Sequence, residues 1–342
     1  MATLNGKEYS KNDILRYCGS VDQIASIKSS VLNSGKSNGL QCFSVNTGGG
    51  LSFDVLPNKC LDIASVSFNG INVAFLSKNG YVGPYLNMPT GDDFVNYMSG
   101  GLLFTCGLRN VGKSCVDNTD FHPLHGRIGL TPAQNPFTKC YWEGDEYFLE
   151  IGGVMRETAL FGVNLSLTRK IITKLGSSEI EILDTIENLN PSEQEFMFLY
   201  HVNFGFPFLD ENIEVNFPKS EITPRTDVAK QDIALVDVYT KPADNLFERV
   251  YFRDVKETDN GFVTVDLLNR KLGISAKVNY EKENLPNLTQ WKSMRSGDYA
   301  LGIEPSNSGV DGVSIEREKG TLKKIPGFSK LEYRLKLEFS KI

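Results

Sequence analysis

The chain has 342 residues, of which 40% are hydrophobic and 23% charged, enough apolar content for a sizeable core. Its 36 Lys and Arg against 42 Asp and Glu leave a net charge of −6 with no basic block, a poor match for a nucleic-acid partner. No apolar run approaches the roughly 20 residues of a membrane span, and the opening MATLNGKEYSKND lacks a signal-peptide pattern, so a cytoplasmic protein with no membrane partner is expected.

The first predicted element is a short helix capped by Ser10, with Asp13 three residues on and Gly19 as its stop. Thr47-Gly48-Gly49-Gly50 marks a strand end. Asn69-Gly70 sits between Ser65–Phe68 and Ile71–Phe75 and predicts a tight hairpin, because Asn-Gly supplies the positive φ values it needs. A second short helix is predicted over Asp92 to Met98, ended by Gly100-Gly101. Beyond it the period is two. Val163, Leu165 and Leu167 alternate with polar residues, as do Ile213, Val215 and Phe217. The same holds for Leu272, Ile274, Ala276, Val278 and Tyr280, and for Leu331, Tyr333, Leu335, Leu337 and Phe339. Such alternation is the mark of strands with one buried face, and it favours antiparallel sheets. The fold expected is all-β, a large antiparallel β-sandwich with a few short helices. It is read as one domain over residues 1–342, with a short N-terminal extension to about residue 20. The alternative is two β domains meeting near residues 155–160. Six scattered cysteines with no CxxC pair read as core thiols.

Only three histidines occur, His122, His125 and His201, and imidazole is the side chain that titrates near neutral pH unaided. His125 opens His-Gly-Arg-Ile-Gly, where two glycines suit close approach of backbone to a ligand. His201 lies in Tyr200-His201-Val202-Asn203-Phe204, and alternation puts His201 and Asn203 on the face opposite Tyr200, Val202 and Phe204. Glu304 ends a short apolar run, and Pro305 biases it toward extended backbone. A carboxylate held there beside apolar walls becomes a better base. Taken singly, each of these residues has an ordinary reading: a satisfied core histidine, or a surface Glu at a strand end. Arg109 and Asn110, set between glycines, and Gln290-Trp291 offer hydrogen bonds and an aromatic face to a sugar, with plain packing as the competing account. Neither GxxxxGK[ST], a strand-to-helix GxGxxG nor GxSxG occurs, which argues against a nucleotide enzyme or an α/β-hydrolase.

The strings PNKCLDI, GGLLFTCGLRNVG, LHGRIGLTPA, YHVNFGFP and LGIEPSN, in order from about residue 55 to 307, resemble the DUF4432-type group of aldose 1-epimerase-like proteins in the galactose mutarotase-like superfamily. That resemblance implies an isomerase of carbohydrate metabolism that interconverts sugar anomers in a carbohydrate-binding cleft. It implies Glu304 as base, His201 as acid, and His125 polarising the anomeric centre. Arg109, Arg127, Asp62 and Asn203 become candidates for holding ring hydroxyls. Each step is a proton transfer, so no cofactor is required. The expected partner is a sugar or sugar derivative, and sandwich edge strands offer a route to a homodimer. The chain departs from the group at Asn58-Lys59-Cys60, where relatives carry Asp-Arg-Gly. Two other readings stand beside the enzyme. One is a non-catalytic sugar-binding or sensing protein. The other is a metal-dependent sugar isomerase or lyase using His122, His125 and His201 with one glutamate.

Overall fold

A computed structural model describes residues 1–342 apart from 5, 85–90, 118–119 and 257. Among these residues every pairing between named strands is antiparallel, and two large sheets dominate. The eight-stranded sheet runs in the order Gln134–Glu143, Glu146–Thr158, Asn164–Lys174, Glu179–Asn188, Lys330–Lys341, Ile274–Glu281, Phe262–Asn269 and Glu214–Asn216. The seven-stranded sheet runs Ser220–Pro224, Arg249–Val255, Asn287–Arg295, Asp298–Ser306, Gln194–Phe204 and Lys323–Ile325, with Leu103–Leu108 also paired to Gln194–Phe204. A five-stranded sheet from Ser26–Leu32 to Ile71–Asn72 completes the β framework.

The alternating strands meet in a core. Tyr333, Leu335, Leu337 and Phe339 are buried, while Arg334, Lys336 and Glu338 form surface ion pairs on the other face. Across the gap, Phe198 packs its ring against Tyr333 at 4.9 Å, joining the two large sheets. One apolar cluster draws on residues from Ala2 to Phe339. Residues 155–160 run through a hairpin of the eight-stranded sheet, whose arms Glu146–Thr158 and Asn164–Lys174 pair at eleven positions.

The core also holds a charged group that the sequence reading did not name. Arg169 is wholly buried, donates to both oxygens of Asp184, and reaches Asp62 at 2.7 Å. Tyr200 donates to Asp184 at 2.8 Å, and Thr105 donates to Asp62 from both its backbone and its hydroxyl. The network ties all three main sheets together.

Local chemistry follows the sequence at two points and differs at two. Asn69 and Gly70 take φ of 50° and 81°, and Phe68 pairs with Ile71 across the hairpin. Ser10 and Asp13 form a reciprocal capping box on the helix Lys11–Tyr17. That helix is stopped by Cys18 in extended backbone, not by Gly19. The segment expected as a helix over Asp92 to Met98 is a 3₁₀ turn, Gly91–Asn96, with Tyr97 and Met98 both donating to the Phe94 carbonyl. All six cysteines are unpaired, and no helix among the described residues is long and apolar enough to cross a membrane.

Candidate active site

Strand register builds the site. Val202 pairs with Ile303 and Asn203 with Gly302, which puts His201 level with Glu304 on adjacent strands. Trp291 pairs with Gly302 from the other side. Side chains at like positions share one face, so His201, Glu304 and Trp291 converge there, away from the core between the sheets. His201 Nε2 lies 3.1 Å from Glu304 Oε1. The His201 ring meets the Trp291 ring edge-on at 5.4 Å and the His125 ring at 5.6 Å. Phe94 backs His125 at 5.4 Å, and Phe75 backs Trp291 at 6.3 Å.

The electrostatics follow from burial. Glu304 is 3% exposed and His201 5%. Burial pushes the Glu304 carboxyl up to about 8, with Glu248 adding to the rise and Arg225 opposing it. Burial also pulls His201 down to about 4. His125 falls to about 3 through burial, with smaller contributions from His201 and Arg225. Nδ1 of His125, Nδ1 of His201 and Oε1 of Glu304 are buried without a hydrogen-bond partner. Unsatisfied polar atoms are uncommon in a native interior, and three of them gather at this spot.

Three residues that the sequence reading did not name shape this spot. Gly302 lies beneath the pair: a Cβ there would come within 2.6 Å of Glu304 Oε1 and 3.2 Å of His201 Cε1. Its position two residues before Glu304, hence on the same face, was a readable signal. Glu248 accepts a hydrogen bond from the Trp291 indole at 2.7 Å. Arg225 donates to the Val310 carbonyl and to Asp311. Neither Glu248 nor Arg225 lies in a motif, since loops distant in sequence deliver both.

The other nominated residues are placed differently. Asn203 shares the face of His201, with its Nδ2 bound to Gly101 and His201 carbonyls and its Oδ1 unpartnered. Gln290 is on the opposite face, bonded to Arg253, Val236 and Tyr239. Asp62 belongs to the Arg169 network in the core. Asn110 is fully buried with both ends of its carboxamide engaged. Arg109 pairs with Asp120, and Arg127 donates to the Phe121 carbonyl. Leu108 pairs with Met197 whereas Phe104 pairs with His201, so Arg109 starts beyond a point roughly 13 Å along the strand from His201. In this structure these five residues make their polar contacts with protein atoms. The expectation for the glycine beside His125 is corrected. Gly126, at φ 76°, makes room for the Gly107 carbonyl and not for a ligand.

His122 is buried in a different setting. Burial and the Arg109 and Arg127 charges pull it down to about 4. Among the described residues no three His, Cys, Asp or Glu side chains gather to hold a metal ion, so the His122, His125 and His201 metal set is not assembled.

The fold and this geometry can be set beside known proteins. A crystal structure provisionally described as an aldose 1-epimerase, from Klebsiella pneumoniae, is similar with TM-score 0.88 and 23% identity, covering 93% of this chain and 86% of that one. A galactose mutarotase-like protein from Clostridium acetobutylicum is similar with TM-score 0.62 and 15% identity, covering 94% and 100%. The galactose 1-epimerase of Lactobacillus acidophilus is similar with TM-score 0.57 and 11% identity, covering 93% and 99%. No curated protein matches the sequence. The DUF4432 family, a domain of unknown function, matches residues 37–339, and the chain therefore belongs to that family, built on the galactose mutarotase-like β-sandwich.

Proposed function

We propose that this protein is an aldose 1-epimerase-like isomerase that interconverts the anomers of a sugar by acid–base ring opening and reclosure. The observation that carries the reading is the buried Glu304–His201 pair, 3.1 Å apart beside Trp291 and His125. A cyclic sugar's anomeric hydroxyl and ring oxygen sit on one carbon. Two adjacent groups can therefore reach both. Glu304 takes the hydroxyl proton while His201 protonates the ring oxygen, and the C1–O bond of the ring breaks to leave an aldehyde. Rotation about C1–C2 and reclosure, with the roles reversed, gives the other anomer. His125 hydrogen-bonds near the anomeric centre, and Trp291 walls the sugar's apolar face.

The pair behaves as one unit holding one proton. Burial raises the carboxyl and lowers the imidazole, so that proton stays in the pair from about pH 4 to about pH 8. Moving that proton from the carboxyl to the imidazole 3.1 Å away gives carboxylate–imidazolium, the form that begins ring opening; in the structure the two groups are in contact without a hydrogen bond between them. The kcat/KM profile is therefore expected to be a bell. It falls below about 4 as a second proton adds, and above about 8 as the shared proton leaves. An NMR anomer-exchange screen over aldoses, uronic acids and deoxy sugars tests the reading. If no sugar exchanges faster than without protein, the isomerase is wrong, and sugar binding alone would mark a binding protein.

Gly302→Ala gives a second expectation. The added methyl would lie 2.6 Å from the flexible end of the Glu304 carboxylate and 3.1 Å from Trp291 Cβ, so the carboxyl swings aside, the neighbouring strand gives slightly, and Tm falls modestly. Moving the carboxyl costs alignment, and the rate should fall about 10- to 100-fold. Wild-type rates in Gly302→Ala would argue against Glu304 at the reacting centre.

A further inference from the structure

We infer that Asn110 is a positioning residue that holds His125 against the His201–Glu304 pair, an inference that rests on the epimerase reading of that pair. His125 sits at φ 60°, a left-handed conformation that non-glycine residues rarely adopt. Such backbone persists only where its surroundings over-determine it. Two loops supply that constraint here. The first is 107–113: His125 N donates to the Gly112 carbonyl at 2.8 Å, and Gly107 N donates to the His125 carbonyl at 3.1 Å. The second is 307–313, which follows the Glu304 strand. It meets the first so closely that a Cβ on Gly112 would lie 1.8 Å from the Val310 oxygen. Lys113 N donates to that same carbonyl, and Arg225 anchors it from the far side.

Asn110 joins these pieces with one side chain. Its Nδ2 donates at 2.9 Å to the carbonyl of Lys113 and at 2.9 Å to that of Pro123, two residues before His125. Its Oδ1 accepts from Val313 N at 2.8 Å, at the start of the helix Val313–Glu318. One fully buried carboxamide thus links the segment bearing His125 to the segment leaving Glu304. No side chain of another shape offers two donors and an acceptor in that fork. Asn110 touches none of His125, His201 or Glu304 through the bonds it makes; it acts through the backbone that presents them.

Two variants of the full chain test this. Asn110→Asp keeps an acceptor for Val313 N and removes both donors. Val313→Pro removes the N–H that Asn110 accepts, at the first helical position, where proline is tolerated, and leaves an apolar side chain of similar size at that buried place. Asn110→Asp should lower kcat about 10- to 100-fold with KM within about twofold, the signature of lost alignment. Val313→Pro should lower kcat less, by about three- to tenfold. The chain has three histidines, so three imidazole signals are expected by NMR, with His125→Asn assigning one. That signal should shift in Asn110→Asp while the Trp291 indole signal stays. Wild-type kcat in both variants overturns the inference. So does a loss of Tm in Asn110→Asp with the His125 signal unmoved, which would make Asn110 merely structural. If wild-type protein exchanges no sugar, the epimerase reading fails, and the imidazole signal still decides what Asn110 holds in place.

Discussion

Glu304→Gln is expected to lower the anomer-exchange rate by about 10²- to 10⁴-fold, the range for removing a general base, while making the folded protein more stable. Both effects come from one cause. The carboxyl is buried without a full set of partners, and burial raises it from 4.5 to about 8. A group with a raised folded pKa holds its proton more tightly in the folded chain than in the unfolded one. Its stabilising contribution is full below about 4.5 and is lost as the pH climbs through about 8. Glutamine has the same shape and no proton to lose. The Tm of the variant should therefore exceed that of the wild type by a margin that grows from about pH 4.5 to pH 8, then levels. Titrating Tm against pH for both proteins checks it. A variant less stable than wild type at pH 8 would mean that the carboxylate is held by the imidazolium of His201 and not by burial as a neutral acid. Sugar affinity should be largely retained, because the amide fills the same space.

Arg169→Ala is the change expected to cost most stability. Arg169 is fully buried and binds Asp184 through two nitrogens and Asp62 through a third. Removing it leaves two carboxylates in the core without their cation, together with a cavity. Breaking a buried ion pair from one side costs about 3–5 kcal/mol. In a chain of this length that is a fall in Tm on the order of 5 °C. The loss should appear without any change in the pH limits of the anomer-exchange rate, since the network lies on the core side of the sheet and the Glu304–His201 pair on the other. Calorimetry and the kcat/KM profile separate the two. An Arg169→Ala protein that melts with the wild type would show that water or a neighbouring cation takes over the two carboxylates.

How far the sequence could be read depended on which residues were asked about. The strands were legible because alternation is a property of neighbours: Tyr333 to Phe339 bury every second side chain whatever lies opposite. The Asn69-Gly70 hairpin and the Ser10–Asp13 box were legible for the same reason, since their partners lie within three residues. Alternation also separated His201 and Asn203 from Tyr200 and Val202. Applied to Gln290 and Trp291, the same rule says that adjacent residues on a strand cannot both face a cleft. It does not say which one does. The register with Gly302 answers that in favour of Trp291. The arginines show the limit most clearly. Arg109 and Arg127 sit in glycine-framed motifs, yet one guanidinium nitrogen of each bonds to the protein, at Asp120 and at the Phe121 carbonyl. The cation whose charge reaches Glu304 and His125 is Arg225, from a loop no motif marks.

The sequence by itself determined the strand periodicity, the mild acidic charge and the ordered motifs that carry His125, His201 and Glu304. Tertiary structure alone decided that these three meet, that Gly302 leaves room for them, and that Asp62, Asn110 and Gln290 serve the framework. The physical reason is range. Periodicity and turn chemistry act between residues a few positions apart, whereas a buried Glu–His pair needs two strands, some hundred residues apart in the chain, to adopt one register. That register is set by the packing of whole sheets.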